Sequence, residues 1–254
     1  MYAEVPAPAE VRDAVACLWT RTAEPGDPAT LVLPDGCFDL IWTPGNPLML
    51  AAPDTVASHV PAGTADAWVG LRFRPGVGKA VLGVPMEALL NERPTVADVL
   101  AERPRSAETR ASGDLIAQLS QAGTPAEAAQ TLTSLGGLLN RAAPIDRRAL
   151  HATRLLADPQ RTVASVAAEV DLPQRTLNRR MTEQVGYGPK MLQRVLRLQR
   201  FLALAEGTGA DRGIRLGELA ATAGYADQPH LVRDAAALTG LTPTALLAAR
   251  GSTP

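Results

Sequence analysis

The 254 residues are 46% hydrophobic, enough for two domains with separate cores, and the two cysteines, Cys17 and Cys37, exclude a disulfide scaffold and a four-cysteine zinc site. No apolar run approaches the roughly eighteen residues of a membrane span, and the start MYAEVPAPAEVRDA has neither the basic nor the apolar segment of a secretion signal, so a cytoplasmic protein with no membrane partner is expected. The net charge of −1 hides an asymmetry: residues 1–140 carry 9 basic and 16 acidic side chains, a net −7, while residues 141–254 carry 16 and 10, a net +6.

In chain order, residues 29–75 hold short apolar runs broken by turn residues, ATLVLPDG, CFDLIWTPGNP, LMLAAPD and ADAWVGLRFRPG, and these read as strands. Leu71 and Phe73 alternate with Arg72 and Arg74, which are expected on the opposite face. From Val77 the spacing turns helical, through VGKAVLGV and PMEALLNE, then a helix over about 107–122 and another opened by Thr124-Pro125 and running to about Asn140. The expected N-terminal domain, residues 1–140, is therefore α+β, with short antiparallel strands followed by helices.

Residues 141–254 show no strand signal. A helix is expected over 146–157 with Leu150, Thr153, Arg154 and Ala157 on one stripe, ended by Asp158-Pro159. Beyond it lies an internal repeat. Val163, Val166, Ala167 and Val170 match Leu216, Leu219, Ala220 and Ala223 at an offset of 53, and Leu172 matches Tyr225. The second copy then gains one residue: Leu177, Arg179, Gly186, Pro189 and Leu192 match Leu231, Arg233, Gly240, Pro243 and Leu246 at an offset of 54. The common plan is a short amphipathic helix, a tight turn with an apolar plug, a second helix stopped by glycine, and a proline opening the next helix. Asp227 suits an N-cap. The expected architecture is an all-α domain with helix-turn-helix units at about 162–186 and 216–240, joined by a long helix through LQRVLRLQRFLALAE.

Helix geometry sets what each second helix presents. With Leu177 and Met181 inward, Arg175, Asn178, Arg179 and Thr182 face outward; with Leu231 and Ala235 inward, Pro229, Val232, Arg233 and Ala236 do. Arginine and asparagine are the side chains that reach guanine and adenine edges in a major groove, so the first unit is expected to dominate, with Arg233 and neighbouring His230 as the second unit's contribution. Residues 142–200 carry 11 basic and 5 acidic groups, and residues 201–254 carry 4 and 5, which agrees. On the joining helix, Arg194, Arg197 and Arg200 either meet phosphate or solvate the helix, Arg194 being the first candidate for phosphate. A rigid joining helix would let one chain address two successive grooves, about 34 Å apart.

Over about residues 144–250 the sequence resembles the AraC/XylS family of bacterial transcriptional regulators. The resemblance rests on Ala167, Leu177, Arg179, Gly186 and Pro189, then on Gly224, Tyr225, Asp227, Leu231, Arg233, Gly240, Thr242 and Pro243. It implies base reading by Arg175, Asn178 and Arg179, double-stranded DNA and RNA polymerase as partners, and often a homodimer. Pro173 departs from the pattern's serine cap, and Met181 and Ala235 from its aromatic plugs. The segments LVLPDGCFDLIW and VGLRFRPGVGKAVLGVP resemble the sensor domain of an actinobacterial branch, which implies a small-molecule effector.

Enzyme chemistry has no support in the sequence. Cys37, Asp39 and His59 make neither a ligand set nor a catalytic constellation, so no metal or cofactor is expected. Cys37 reads as a buried thiol or, alternatively, as the sensing group of a redox- or electrophile-responsive regulator. Trp42 and Trp68 fit either a core or an effector pocket, to which Cys37, Asp39 and Arg72 would add polar contacts. A dimerisation module is the remaining alternative for the N-terminal domain.

Overall fold

The computed structural model describes residues 1–24, 27–103, 106–208 and 216–251. Its N-terminal part carries β1 (Tyr2–Pro6), β2 (Val15–Thr22), β3 (Thr30–Val32), β4 (Phe38–Trp42), β5 (Met49–Ala51), β6 (Ser58–Val60) and β7 (Ala67–Phe73). Five of them form an antiparallel sheet in the order β1-β2-β7-β4-β5, while β3 and β6 pair separately. The alternation at Leu71 to Arg74 is seen: Leu71 and Phe73 are buried, and Arg72 sits opposite Asp39 in the register of β4 with β7.

Three strands, β1, β2 and β6, add to the expected set. β1 is exposed at every position, so it shows no two-residue period. β2 lies inside the sheet between β1 and β7, and apolar residues occupy both of its faces: Leu18 packs toward the helices, Cys17 and Trp19 away from them.

The helices that follow are α1 (Gly78–Leu82), a 3-10 turn at Met86–Ala88, α2 (Val96–Ala101), α3 (Ala107–Gln121) and α4 (Pro125–Arg141). PMEALLNE thus supplies only the 3-10 turn, and α2 is a further addition. Thr124 caps α4 by accepting from the Glu127 amide, with Pro125 in the first turn. Its buried stripe, Ala128, Leu132, Leu135 and Leu139, lies in one core with Phe38, Leu40, Trp42, Val69, Leu71 and Phe73 of the sheet. Each large side chain so buried contributes about 1.5–3 kcal/mol. Trp42 is 1% exposed, and its indole Nε1 donates to the Leu119 carbonyl of α3 at 2.8 Å.

The helices of the C-terminal part, its sole regular secondary structure among the described residues, are α5 (Arg147–Leu156), α6 (Val163–Glu169), α7 (Gln174–Val185), α8 (Pro189–Thr208), α9 (Leu216–Ala223), α10 (Gln228–Thr239) and α11 (Pro243–Gly251). A second core gathers Leu156, Val166, Leu177, Met181, Leu198, Phe201, Leu219, Leu231 and Leu246. The stripe of α5 is Ala149, Leu150, Ala152, Thr153 and Leu156. Arg154 and Ala157, expected on it, are exposed instead. Thr153 belongs to the stripe because its hydroxyl donates to the Pro75 carbonyl of the N-terminal part, and Arg154 reaches Asp13 at 3.0 Å.

Candidate nucleic-acid interface

The first unit is built from α6 and α7. Thr162 and Ser165 close a reciprocal capping box at the start of α6, satisfying two amide donors that the helix would otherwise leave open. Val166 and Ala167 are buried, and Leu172 fills the corner of the turn. α7 begins after Pro173 without a side-chain cap, so no capping side chain accepts from its first amides. Leu177, Met181 and Val185 form its inner face, each no more than 1% exposed. Gly186 ends the helix at φ 94°, a left-handed conformation that a side chain would strain.

Arg175, Asn178 and Arg179 are exposed on the outer face of α7, and Thr182 beside them is half-buried. The neighbouring Arg180 has a different fate. It points to the start of α5, where Nη1 donates to Asp146 Oδ2 at 3.0 Å, and Asp146 also caps α5. Arg179 donates through Nη1 to Glu183 Oε1 at 2.9 Å and still has 66% of its side chain exposed.

The second unit repeats the scaffold in α9 and α10. Asp227 caps α10 by accepting from the His230 amide at 2.6 Å, Leu231 and Ala235 are fully buried, and Gly240 stops the helix at φ 71°. Tyr225 occupies the corner at 3% exposure. Leu238, 1% exposed, lies in the same core as Ala235, and Leu241 packs against that core. Arg233 is exposed.

Two residues expected at DNA are engaged elsewhere. Arg194 of α8 donates through Nε to Asp234 Oδ1 at 2.9 Å, and Asp234 is only 6% exposed. His230 packs edge-on against Tyr225 at 5.1 Å, with its ring nitrogen 3.7 Å from Asp234 Oδ2. Arg197 stacks over Tyr225 at 5.3 Å and lies 3.9 Å from Asp234, and Arg200 donates to the Thr222 carbonyl. The joining helix therefore spends its arginines on the second unit. The physical reason is the buried carboxylate of Asp234, which draws cations from the helix it packs against.

The N-terminal part docks on both units. Gln199 of α8 donates to the Pro34 carbonyl at 2.7 Å, the Ala57 amide to the Leu238 carbonyl at 2.7 Å, and Leu31, Leu33 and Leu90 pack on the C-terminal core. Lys79 of α1 reaches Glu183 of α7 at 2.8 Å. The signal for Lys79 and Glu183 is absent from local sequence, since they stand 104 positions apart.

Of the five candidate effector residues, Asp39, Arg72 and Cys37 are brought together, while Trp42 and Trp68 lie apart from them and from each other. Trp42 is a correction: it lies in the closed core on the helix-facing side of the sheet, held by Leu119. Asp39 and Arg72 lie on the other side, where Arg72 donates to both Asp39 oxygens at 3.1 Å and lies 3.7 Å from Asp35 and from Glu4. Burial opposes the charge of Arg72, yet Asp39 and Asp35 raise its pKa. Cys37 precedes β4 and donates its amide to Asp35. Burial, then the charge of Asp35, pushes its thiol well above the ordinary range, and burial lifts Cys17 to about 11. Neither thiol is activated as a nucleophile. Trp68 sits with Cys17 and Trp19, with Arg21 5.0 Å over its ring, beside a cleft of about 300 Å³ also lined by Thr30, Val60 and Asp66.

Among the described residues no helix is long and apolar enough to cross a membrane. Residues 3–95 match a family model described as a domain of unknown function, DUF6597, and residues 166–249 match one described as a helix-turn-helix domain. No curated protein matches the chain significantly. Among solved structures it is similar to ToxT from Vibrio cholerae O395, at 9% identity and a TM-score of 0.45, covering 88% of this chain and 94% of that one. A 1.65 Å structure of ToxT from Vibrio cholerae gives 9% identity and a TM-score of 0.47, over 91% and 98%. ToxT bound to (E)-4-(8-methylnaphthalen-1-yl)but-3-enoic acid gives 10%, 0.47, 91% and 98%. The C-terminal part of this chain, matched over residues 166–249, is an AraC-type helix-turn-helix DNA-binding domain.

Proposed function

We propose that the chain is a sequence-specific transcriptional regulator in which α7 enters a major groove and reads base edges with Arg175, Asn178 and Arg179. Thr182 stands at the rim of that contact, and α10 adds Arg233 as a weaker clamp. The observation that carries this reading is the division of labour on α7. Its inner face is buried, Arg180 is tied down by Asp146, and three side chains able to reach base edges remain exposed on one outer face. On α10 the equivalent surface offers one arginine, because His230 and the arginines of α8 turn to Asp234.

In this reading residues 1–140 form an effector-sensing domain of the branch implied by LVLPDGCFDLIW, and residues 141–254 the DNA-binding domain. The cleft beside Trp68 and Arg21 is where a small effector would bind, an aromatic floor with a cation above it. Its docking on both helix-turn-helix units provides a route for an effector to alter DNA binding. A homodimer in the cytoplasm acting on RNA polymerase belongs to the same proposal. A thiol signal through Cys37 has less support, since burial disfavours its thiolate.

Selection of bound duplexes from a random pool tests the proposal. Enrichment of one motif, with strong base preference over the α7 half-site and weaker preference about one helical turn away, is the expected result. A pool that enriches no motif overturns it.

A further inference from the structure

Glu183 lies four residues after Arg179, about 40° further round α7, so its carboxylate borders the outward face. An unpaired carboxylate there would repel phosphate and could take Arg179 with both oxygens. The structure gives it a second cation from outside the helix. Lys79 Nζ donates to Oε2 at 2.8 Å, while Arg179 Nη1 holds Oε1 at 2.9 Å.

The position of Lys79 is set by close packing. Its neighbour Gly78 is buried so tightly that a Cβ there would stand 2.8 Å from the Gln184 carbonyl oxygen and collide with the Met86 side chain. Only glycine lets α1 approach the end of α7 so closely. The Lys79 hydrogen bond is also the largest influence holding the Glu183 carboxyl below its usual range, with burial opposing it and Arg179 adding to it.

We infer that Lys79, a residue of the N-terminal part, is a positioning residue for DNA recognition. It occupies one oxygen of Glu183 and cancels that carboxylate's charge beside the groove, so Arg179 is held by a single hydrogen bond and keeps its remaining donors for a base edge. The inference rests on the reading of α7 as the base-reading helix. It adds that the N-terminal part takes a direct share in setting the recognition face.

The test uses the full chain and the selected duplex, together with a duplex altered at the base pair whose identity no longer matters to Arg179→Ala. Lys79→Met should weaken binding to the selected duplex about three- to tenfold and bring the two duplexes closer in affinity, with Lys79→Arg retaining wild-type discrimination. In a Glu183→Gln background the same Lys79→Met change should have no effect, because the group it acts through has lost its charge. Two results would overturn the inference. One is unchanged affinity and discrimination in Lys79→Met; the other is an equal loss in both backgrounds with a salt dependence reduced by about one phosphate, which would make Lys79 a backbone contact. Lys79→Gln, which keeps a donor, repeats the measurement should the methionine variant melt early. Failure of the underlying reading looks different, since Arg179→Ala would then leave affinity for the selected duplex unchanged.

Discussion

The two helix-turn-helix units share a scaffold and differ in what their charges do. At one repeat position stand Arg180 in the first unit and Asp234 in the second, 54 residues apart. Each anchors its recognition helix to the helix before its unit. Arg180 reaches Asp146, the N-cap of α5, and Asp234 reaches Arg194 and Arg197 of α8. The anchor is kept and its sign is reversed. One consequence is that the first unit spends an acidic partner on the anchor and keeps Arg175 and Arg179 for its outer face, while the second spends arginines. Another is that Glu183, through which the N-terminal part meets the recognition helix, has Ala237 as its counterpart, so that contact exists for one unit only.

The largest expected effect comes from the plug position, where Met181 and Ala235 are each fully buried. Met181→Ala should cost about 2–5 kcal/mol in chemical denaturation, the loss of buried atoms plus the cavity left behind. Ala235→Met should cost about 1–3 kcal/mol, because Ala235 is fully enclosed in the core and the added atoms must displace its neighbours. A gain of stability in Ala235→Met would break the comparison by showing that the second unit holds a void. Next in size is the reversed anchor. Asp234→Ala leaves three cationic or titratable groups facing an apolar gap and should cost about 2–3 kcal/mol, discounted from a fully buried pair because Arg194 is 39% exposed. Arg180→Ala, at a more exposed pair, should cost about 1 kcal/mol.

How much of this was legible in the sequence depends on how far apart the interacting residues lie. The repeat, its inward stripes, the Asp227 cap and the two left-handed glycines are local features, and a 3.6-residue period with its stop signals was enough to place them. β4 was readable because apolar Phe38, Leu40 and Trp42 are spaced two apart, and β7 because Leu71 and Phe73 alternate with Arg72 and Arg74 ahead of a turn. β2 was not, because Cys17 and Trp19 give it apolar residues on the side away from the helices, and two apolar faces erase the two-residue period. Trp42 could not be assigned to the core rather than a pocket without α3, since the carbonyl that satisfies its indole lies 77 residues away. The fates of Arg194 and His230 turn on Asp234, a carboxylate buried only once α8 and α10 pack together. Sequence spacing reports which side of a helix a residue occupies, and tertiary packing decides which charge it meets there.

DNA binding sharpens the comparison further. Arg179→Ala should lose about 1–3 kcal/mol at the selected duplex, the worth of a good arginine contact to a base edge, measured by titration at fixed salt. Arg233→Ala should lose less than about 1 kcal/mol, the value of a contact made mainly to phosphate. The opposite order would show that exposure of three polar side chains on α7 does not rank the units.

The smallest effect separates the units by pH. Glu183 titrates below its usual range because Lys79, against the opposing effect of burial, and then Arg179 favour its charged form. A carboxylate whose folded pKa is depressed binds fewer protons in the native state than in the unfolded one. Its contribution to stability is therefore complete above the unfolded value and disappears as pH falls through the folded one. Denaturation between pH 6 and pH 3 should show Glu183→Gln converging on wild type at the acid end, after a deficit of about half a kcal/mol near pH 6, small because the pair is partly solvated. Ala237→Gln, the same change of side chain at the second unit's equivalent site, should run parallel to wild type across that range, since no carboxylate stands there. A Glu183→Gln curve that also runs parallel would mean that Lys79 does not hold the carboxylate in solution, and the difference between the units would then reduce to Arg175, Asn178 and the reversed anchor.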